Sequence, residues 1–522
     1  MWKDGKPVWV SWGGAVLLTA GVIYLGYGVD RTAFWSLFGA FVLAFSGYFA
    51  LVYRSDSARL RWLIGVGIAL RVALVFAFPL LSDDVYRFIW DGHLIVAGHN
   101  PFTELPAYYL AEGNEVAGLS QQLFDRLNSP DYYTIYPPVA QGVFTVAAWL
   151  SPGSWYGAAV VMKLFLLVCE LGSLWLLWRL LGARTPTAHE GGGAQDARFG
   201  FKKNRSVAGK DKNLSSLPSE PSSSTKSGPG QRGFPQTNLL FYWLNPLIII
   251  EIMGNLHFEG AMVFFLLLAY YLLRRSRWIS GAVAMAASVA SKLLPLMLLP
   301  LLIRRLWVTS PQPLSDTFRL RLNGEGLFAR ETLALLIQRG KPFFVFSLAF
   351  GIACLLFFAP LLLAPGFLEG FQSSLELYQK KFEFNASIYY VARAVGYLQV
   401  GWNQIATIGP SLAKAAAGGI LLLALLDRRR DWASLPVGWL WAFVLYLLFA
   451  TTVHPWYLSV PIVLCCFTRW RFPLVWSFLI MLTYVSYITQ PYQELLWLVG
   501  VEYLVVVIFF ISENYLRNYL EG

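Results

Sequence analysis

Apolar stretches of the length a bilayer demands recur along this chain, and no other feature constrains its fold as strongly. A lipid core needs roughly 20 apolar residues per crossing helix. Val8–Gly28, Phe34–Tyr53, Trp62–Leu81, Trp155–Leu181 and Pro342–Ala364 all reach that length. The 522 residues are 57% hydrophobic and only 14% charged, whereas soluble domains run nearer half apolar and a quarter charged. Because lipid offers no water to an exposed backbone, the spans must be helices. The expectation is an all-α polytopic membrane protein with about 14 transmembrane helices. Val8–Gly28 is too long for a signal-peptide core and no small-x-small cleavage site follows it, so an uncleaved anchor is expected.

The net charge of +11 raises nucleic acid as a partner, but the placement of the charge argues for a bilayer instead. Basic residues gather between spans: Arg54, Arg59 and Arg61; Arg274, Arg275 and Arg277; Arg428, Arg429 and Arg430; Arg469 and Arg471. That is the positive-inside pattern, which orients a chain and suits contact with anionic lipid. The four cysteines, Cys169, Cys354, Cys465 and Cys466, all lie in apolar runs without metal spacing, and read as small core- or lipid-facing residues.

With Lys3 and Lys6 inside, residues 1–53 make two spans and return to a basic segment. The unit 54–181 follows, with an external loop at 82–136. Ser82–Tyr136 holds eight acids against Arg87 and Arg126, as an external loop would. Residues 182–237 read as a disordered cytoplasmic linker, since Gly182–Gln236 carries nine Lys/Arg against four acids and no apolar period. Next come transmembrane helices over 238–306, a cytoplasmic loop at 307–341, and C-terminal spans over 342–522 with an external loop at 365–404. Both termini are expected inside. Two stretches are too short to cross. Pro138–Leu150 reads as an external juxtamembrane helix, and Trp278–Ile303 as two half-length helices broken near Lys292-Leu293-Leu294-Pro295. Broken backbone at membrane depth is tolerated only around protein or a wet cavity.

This topology gathers ionisable groups from five stretches on one external face, where such groups are costly and default to function. The first loop carries Asp83, Asp84, Arg87, Asp91 and His93. A short turn carries Asn255, His257 and Glu259, with Glu251 one turn deeper. Lys292 stands at the helix break, Lys380 and Lys381 in the second loop, and His454 before Pro455-Trp456-Tyr457. Asp83–Gly98 has the period of a surface helix, with Asp83, Arg87 and Asp91 on one face and Gly98 as its C-cap. Blander roles fit several of these residues: helix capping by Asp83, an Arg87–Asp91 surface pair, capping near Ala261 by His257 and Glu259, snorkelling by Lys292, a solvated Lys380/Lys381 pair, and an interfacial His454. The sequon Asn385-Ala386-Ser387 is adequately explained by chance.

Carboxylates facing Lys, Arg and His at the membrane surface suit transfer of a sugar from a lipid-phosphate carrier. A carboxylate takes the proton of an acceptor hydroxyl, and cations stabilise the departing phosphate. Direct displacement with one base predicts inversion. Asp83 is favoured over Asp84 as base because it shares a face with Arg87 and Asp91, and a neighbouring carboxylate would hold one pKa up. Paired carboxylates also suit Mg²⁺ or Mn²⁺, but no further carboxylate is evidently pre-placed, so no cofactor is expected.

The run Ser82-Asp83-Asp84-Val85-Tyr86-Arg87-Phe88-Ile89-Trp90-Asp91-Gly92-His93, followed by Gly98-His99-Asn100-Pro101-Phe102, resembles the first-loop signature of GT-C glycosyltransferases. The closest resemblance is to bacterial polyprenyl-phosphate-mannose-dependent mannosyltransferases of glycosyltransferase family 87 type. Tyr133-Thr134-Ile135-Tyr136-Pro137-Pro138, Asn245-Pro246-Leu247, Gly254-Asn255-Leu256-His257-Phe258-Glu259-Gly260, Lys292-Leu293-Leu294-Pro295 and His454-Pro455-Trp456-Tyr457 fit in the same order. The resemblance implies a GT-C-like fold and a catalytic acid at Asp83 or Asp84. Taken with the external cluster of ionisable groups, the motifs make Arg87, Asp91, His93, Tyr136, Asn255, His257, Glu259, Lys292, Lys380, Lys381, His454 and Trp456 the candidate substrate-binding residues. Its implied partners are a polyprenyl-phosphate-linked sugar, mannose by resemblance alone, and a glycan or glycolipid acceptor, with the site facing the periplasm across a bacterial cytoplasmic membrane. Two N-terminal spans and the linker lie outside the common core, and Glu259 stands where relatives are expected to carry Asp. The rival is a lipid or sugar transporter, marked by broken helices and midplane charges; against it, these polar groups cluster on one face and no inverted repeat is visible.

Overall fold

The computed structural model describes residues 8–53, 55–182, 234–307, 330–489 and 491–521. Most of the linker expected over 182–237, and 308–329 of the loop expected over 307–341, lie outside the described residues. Among the described residues the protein is helical, with one isolated β-bridge between Phe384 and Thr452. Six helices are long and apolar enough to cross a membrane: Val10–Tyr27, Phe34–Tyr53, Trp155–Gly182, Gly340–Leu362, Ile405–Leu426 and Leu496–Tyr519. A seventh candidate is the pair Gln236–Trp243 and Pro246–Gly254, bent by 51°. The bend falls at Asn245-Pro246, where Asn245 Oδ1 caps the second half by accepting from Leu247 N (3.0 Å). Proline lacks the N–H that would continue the first half. Shorter apolar helices include Pro138–Leu150, Glu259–Leu273, Trp278–Ser291 and Leu435–Phe449.

Three local features matter for the site, the last of them the break that the sequence reading places near Lys292. Residues 330–341, expected as loop, form the first turns of the helix Arg330–Leu362. The first-loop helix, Asp84–Val96, is not a surface helix. Val85 and every residue from Arg87 to Leu94 are buried, because the helix packs against Pro138–Leu150. A Cβ on Gly92 would stand 2.4 Å from Phe144 O. Beyond it Gly98 ends the helix as expected, in the left-handed region at φ +84°, just after the C-cap Ala97. Finally, the helix Trp278–Ser291 stops at an extended Lys292 (φ −160°, ψ 138°) and resumes as a 3₁₀ helix, Leu294–Leu302.

One buried polar contact and one close helix packing fix the elements that carry the site. Lys163, fully buried in Trp155–Gly182, donates to Leu74 O (3.1 Å), Ala77 O and Gly254 O (2.9 Å). Leu74 and Gly254 lie in the last turns of the helix Leu60–Val75 and the π-helical turn Ile249–Gly254, and Ala77 follows the first of these just past its cap. One ammonium thus ties together the helix ends that lead into Ser82–Asp84 and into Asn255–His257. The N-terminal pair Val8–Tyr27 and Phe34–Tyr53 packs through small residues. A Cβ on Gly47 would come within 2.4 Å of Gly14 O.

Candidate active site

Asp83 and Asp84 begin the first-loop helix but have different partners. Asp83 makes no side-chain cap; its Oδ2 lies 2.7 Å from Arg31 Nη2. Arg31 comes from the turn between the two N-terminal helices, and its guanidinium also sits over Tyr487, 4.7 Å from the ring centroid. Asp84 Oδ1 accepts from Asn128 Nδ2 (2.7 Å), while its Oδ2 is 3.9 Å from His257 Nε2. Asp84 is the more enclosed, with 19% of its side chain exposed against 37% for Asp83.

Further along the helix the side chains serve packing. Arg87 Nε donates to Asp91 Oδ1 (2.9 Å), and its Nη1 donates to Ser129 O and Tyr132 O. Gln141 Nε2 donates to Asp91 Oδ2 (2.9 Å). This pair therefore pins the Ser129–Tyr132 segment instead of facing solvent. His93 lies beneath Gly118, where a Cβ would meet its ring at 2.3 Å, and that burial lowers its pKa.

Opposite Asp84, the turn after the π-helix presents His257. Its Nδ1 sits 3.1 Å from Glu251 Oε2, and the carboxylate is held by Asn255 Nδ2 and Tyr484 OH. Asn255 Oδ1 accepts from Leu81 N (3.3 Å), so the turn is tied to the segment before Asp83. The His257 ring stacks on Trp456 at 3.7 Å, and Trp456 stacks on His454 at 4.4 Å. Loss of water, with His257 and Lys292 nearby, brings the His454 pKa down to about 3, so its ring is neutral at ordinary pH. Lys292 Nζ lies 2.6 Å from Glu259 Oε1, a carboxylate that is fully buried.

These groups border one cavity of about 760 Å³. Asp83, Asp84, Arg87, Tyr136, Lys292, Lys381, His454 and Trp456 line it. His257 stands behind Trp456, and Glu259 behind Lys292. Asp91, His93 and Asn255 support the walls from within the protein. Lys380 is elsewhere, paired with Glu376 on an exposed helix face. An apolar cleft of about 340 Å³ adjoins the cavity and shares Ile135, Tyr136, Lys292 and Tyr457 with it; Leu294, Met297, Ala413, Ala416, Ile420 and Phe449 continue it away from the carboxylates. Among the described residues, no group of three or more His, Cys, Asp or Glu side chains is arranged to hold a metal ion.

Residues 232–308, which carry His257, Glu259 and Lys292, match the MptA_B family, described as Alpha-(1->6)-mannopyranosyltransferase, N-terminal domain. The chain is a glycosyltransferase. No curated protein matches it. The matched segment agrees with the GT-C resemblance read from the motifs.

Sequence reasoning did not single out several wall residues of this glycosyltransferase. Arg31 belongs to the N-terminal pair outside the motif-bearing core, although its place in a short turn at the outward end of two spans is a usable signal. Asn128 carried no motif. Glu383 and Arg393 pair with each other, and Glu494 accepts from Asn385 N (2.6 Å) and Tyr390 OH; all three line the cavity. Asn385 is fully buried and donates to Glu502 (3.2 Å), so the sequon is closed to modification in the folded protein.

Proposed function

We propose that this glycosyltransferase moves mannose from a polyprenyl-phosphate donor to a hydroxyl of a glycan or glycolipid, at the external face of a bacterial cytoplasmic membrane. The observation that carries this reading is the meeting at Lys292 of a carboxylate-lined polar cavity with an apolar cleft. A polyprenyl chain matches the cleft in polarity, its phosphate falls beside the ammonium, and the sugar reaches into the cavity toward Asp84. The sidedness rests on the helix Trp278–Ser291, which has Arg277 at its start and Lys292 just past its end. Its 14 residues span about 20 Å, separating the site from the basic Arg274–Arg277 segment that the positive-inside rule assigns to the cytoplasm.

In the reaction, an acceptor hydroxyl oxygen attacks the anomeric carbon while its proton passes to Asp84. The bond from that carbon to the phosphate oxygen breaks, and the oxygen keeps the electron pair beside Lys292. A single displacement inverts the anomeric centre. Asp84 suits the base better than the Asp83 favoured by spacing, because Asn128 orients it and, among the described residues, no Lys or Arg pairs with it. The family description supports an α-(1→6) linkage. No metal enters this scheme, so dialysis against EDTA should leave transfer unchanged; loss restored by Mg²⁺ or Mn²⁺ would refute that part. The test is incubation of purified protein with polyprenyl-phosphate-mannose and an alkyl α-mannoside. Formation of the disaccharide supports the reading. Passage of intact donor across vesicles without cleavage would overturn it in favour of a transporter.

A further inference from the structure

The N-terminal helix pair looks like an accessory anchor, since it precedes the motif-bearing core. Its connecting turn nevertheless puts a guanidinium at the catalytic carboxylates. We infer that Arg31 is a positioning residue of the active site: it neutralises Asp83 and so keeps the adjacent Asp84 free to act as the proton acceptor. This rests on the reading of the site as a glycosyl-transfer centre.

Three observations support it. Arg31 Nη2 and Asp83 Oδ2 are 2.7 Å apart, the length of a charge-assisted hydrogen bond. The guanidinium is backed by Tyr487, so it is seated between two elements instead of ranging through solvent. The helix pair that delivers it is close-packed at Gly47 and also at Gly21, whose Cβ would meet Ala40 O at 2.5 Å. Helices that approach this closely leave the turn little freedom to drift.

The chemical reason is charge. Asp83 and Asp84 are consecutive and line the same cavity, so an uncompensated charge on one bears on the other. A general base must be ionised to accept a proton. Around the pair, Arg31, Tyr487 and Tyr492 come from the N-terminal turn and the 486–496 segment. His257, with Glu251 behind it, comes from the π-helical turn, and Arg87 from the same helix, already paired with Asp91. Lys292, Lys381, His454 and the Glu383/Arg393 pair lie on the other walls. Of these cations, Arg31 is the one that makes an ion pair with Asp83. Without it the Asp83 charge bears on Asp84 uncompensated.

The test is the pH profile of kcat/KM in full-length protein with polyprenyl-phosphate-mannose and an alkyl α-mannoside. Arg31→Gln should move the acidic limb up by about one pH unit. Arg31→Lys should leave it near the wild-type position, and Arg31→Gln combined with Asp83→Asn should bring it back, since the site is again charge-balanced. A uniform loss of rate in Arg31→Gln with an unmoved limb would make Arg31 merely structural and overturn the inference. So would a shift that persists in the double variant. Should Arg31→Gln fail to fold, the double variant and Arg31→Lys decide the matter: a limb displaced in either one contradicts the charge-balance account. Absence of transfer by the unmodified protein would instead sink the functional reading and this inference with it.

Discussion

Replacing Lys292 with Met separates two roles that the geometry assigns to one ammonium. In the folded protein Lys292 is the partner of Glu259, 2.6 Å away and fully buried. Removing one member of a buried ion pair leaves an uncompensated charge and costs about 3–5 kcal/mol. Replacing both members, as Lys292→Met with Glu259→Gln, leaves no buried charge and should recover stability to within about 1 kcal/mol. Activity should follow a different course. If Lys292 stabilises the departing phosphate, its loss removes an interaction made chiefly in the transition state, worth about 10²–10³ in kcat for comparable preorganised donors. The assay pairs thermal unfolding in detergent with mannose transfer. The double variant should melt like the wild type and still transfer about 10²-fold more slowly. If transfer returned together with stability, Lys292 would be only the mate of Glu259, and the reasoning that puts the donor phosphate at this corner would fail.

Two further expectations concern the frame and its pH response. Lys163→Met should strip Ala77 O and Gly254 O of their donor and leave Leu74 O only its backbone partners, at about 1–3 kcal/mol per unsatisfied group, and lower kcat because both site-bearing turns lose their common anchor; unchanged melting and rate would contradict the role given to Lys163. His454, whose folded pKa is held down to about 3, stays unprotonated where the unfolded ring, near pH 6.5, already binds a proton. Stability should therefore fall as pH drops from about 6.5 toward 3, and His454→Asn should flatten that fall in pH-dependent melting. An equal slope in both proteins would remove His454 as the cause.

How much of this was legible in the sequence depended on whether the signal was local. Phe34–Tyr53 is a helix over the stretch its hydropathy marked, and the helix Trp155–Gly182 runs one residue past the marked Trp155–Leu181, because an unbroken apolar run in lipid has no alternative to a helix. The break at Lys292 was readable from Pro295 and from basic residues flanking both ends. The Asp83–Gly98 segment was readable as a helix but not as a buried one: its period is amphipathic, yet Gly92 lets it sink against Phe144 and Arg87 and Asp91 satisfy each other internally. Pairing over long separations left no sequence trace. Arg31 reaches Asp83 across 52 positions, and Asn128 reaches Asp84 across 44. The same spacing argument that favoured Asp83 could not see that a distant guanidinium already occupies it. Lys380 and Lys381 are adjacent in sequence but diverge in space, one to Glu376 and the other to the cavity, because the helix Phe367–Lys380 ends between them.

The most direct measurement is mannose transfer by Asp84→Asn and Asp83→Asn proteins beside the wild type, with polyprenyl-phosphate-mannose as donor and melting checked in each. Asp84→Asn should retain the fold and lose about 10²–10⁴ in kcat, the range for removal of a general base, while Asp83→Asn should lose about tenfold or less. Wild-type transfer by Asp84→Asn would contradict the account.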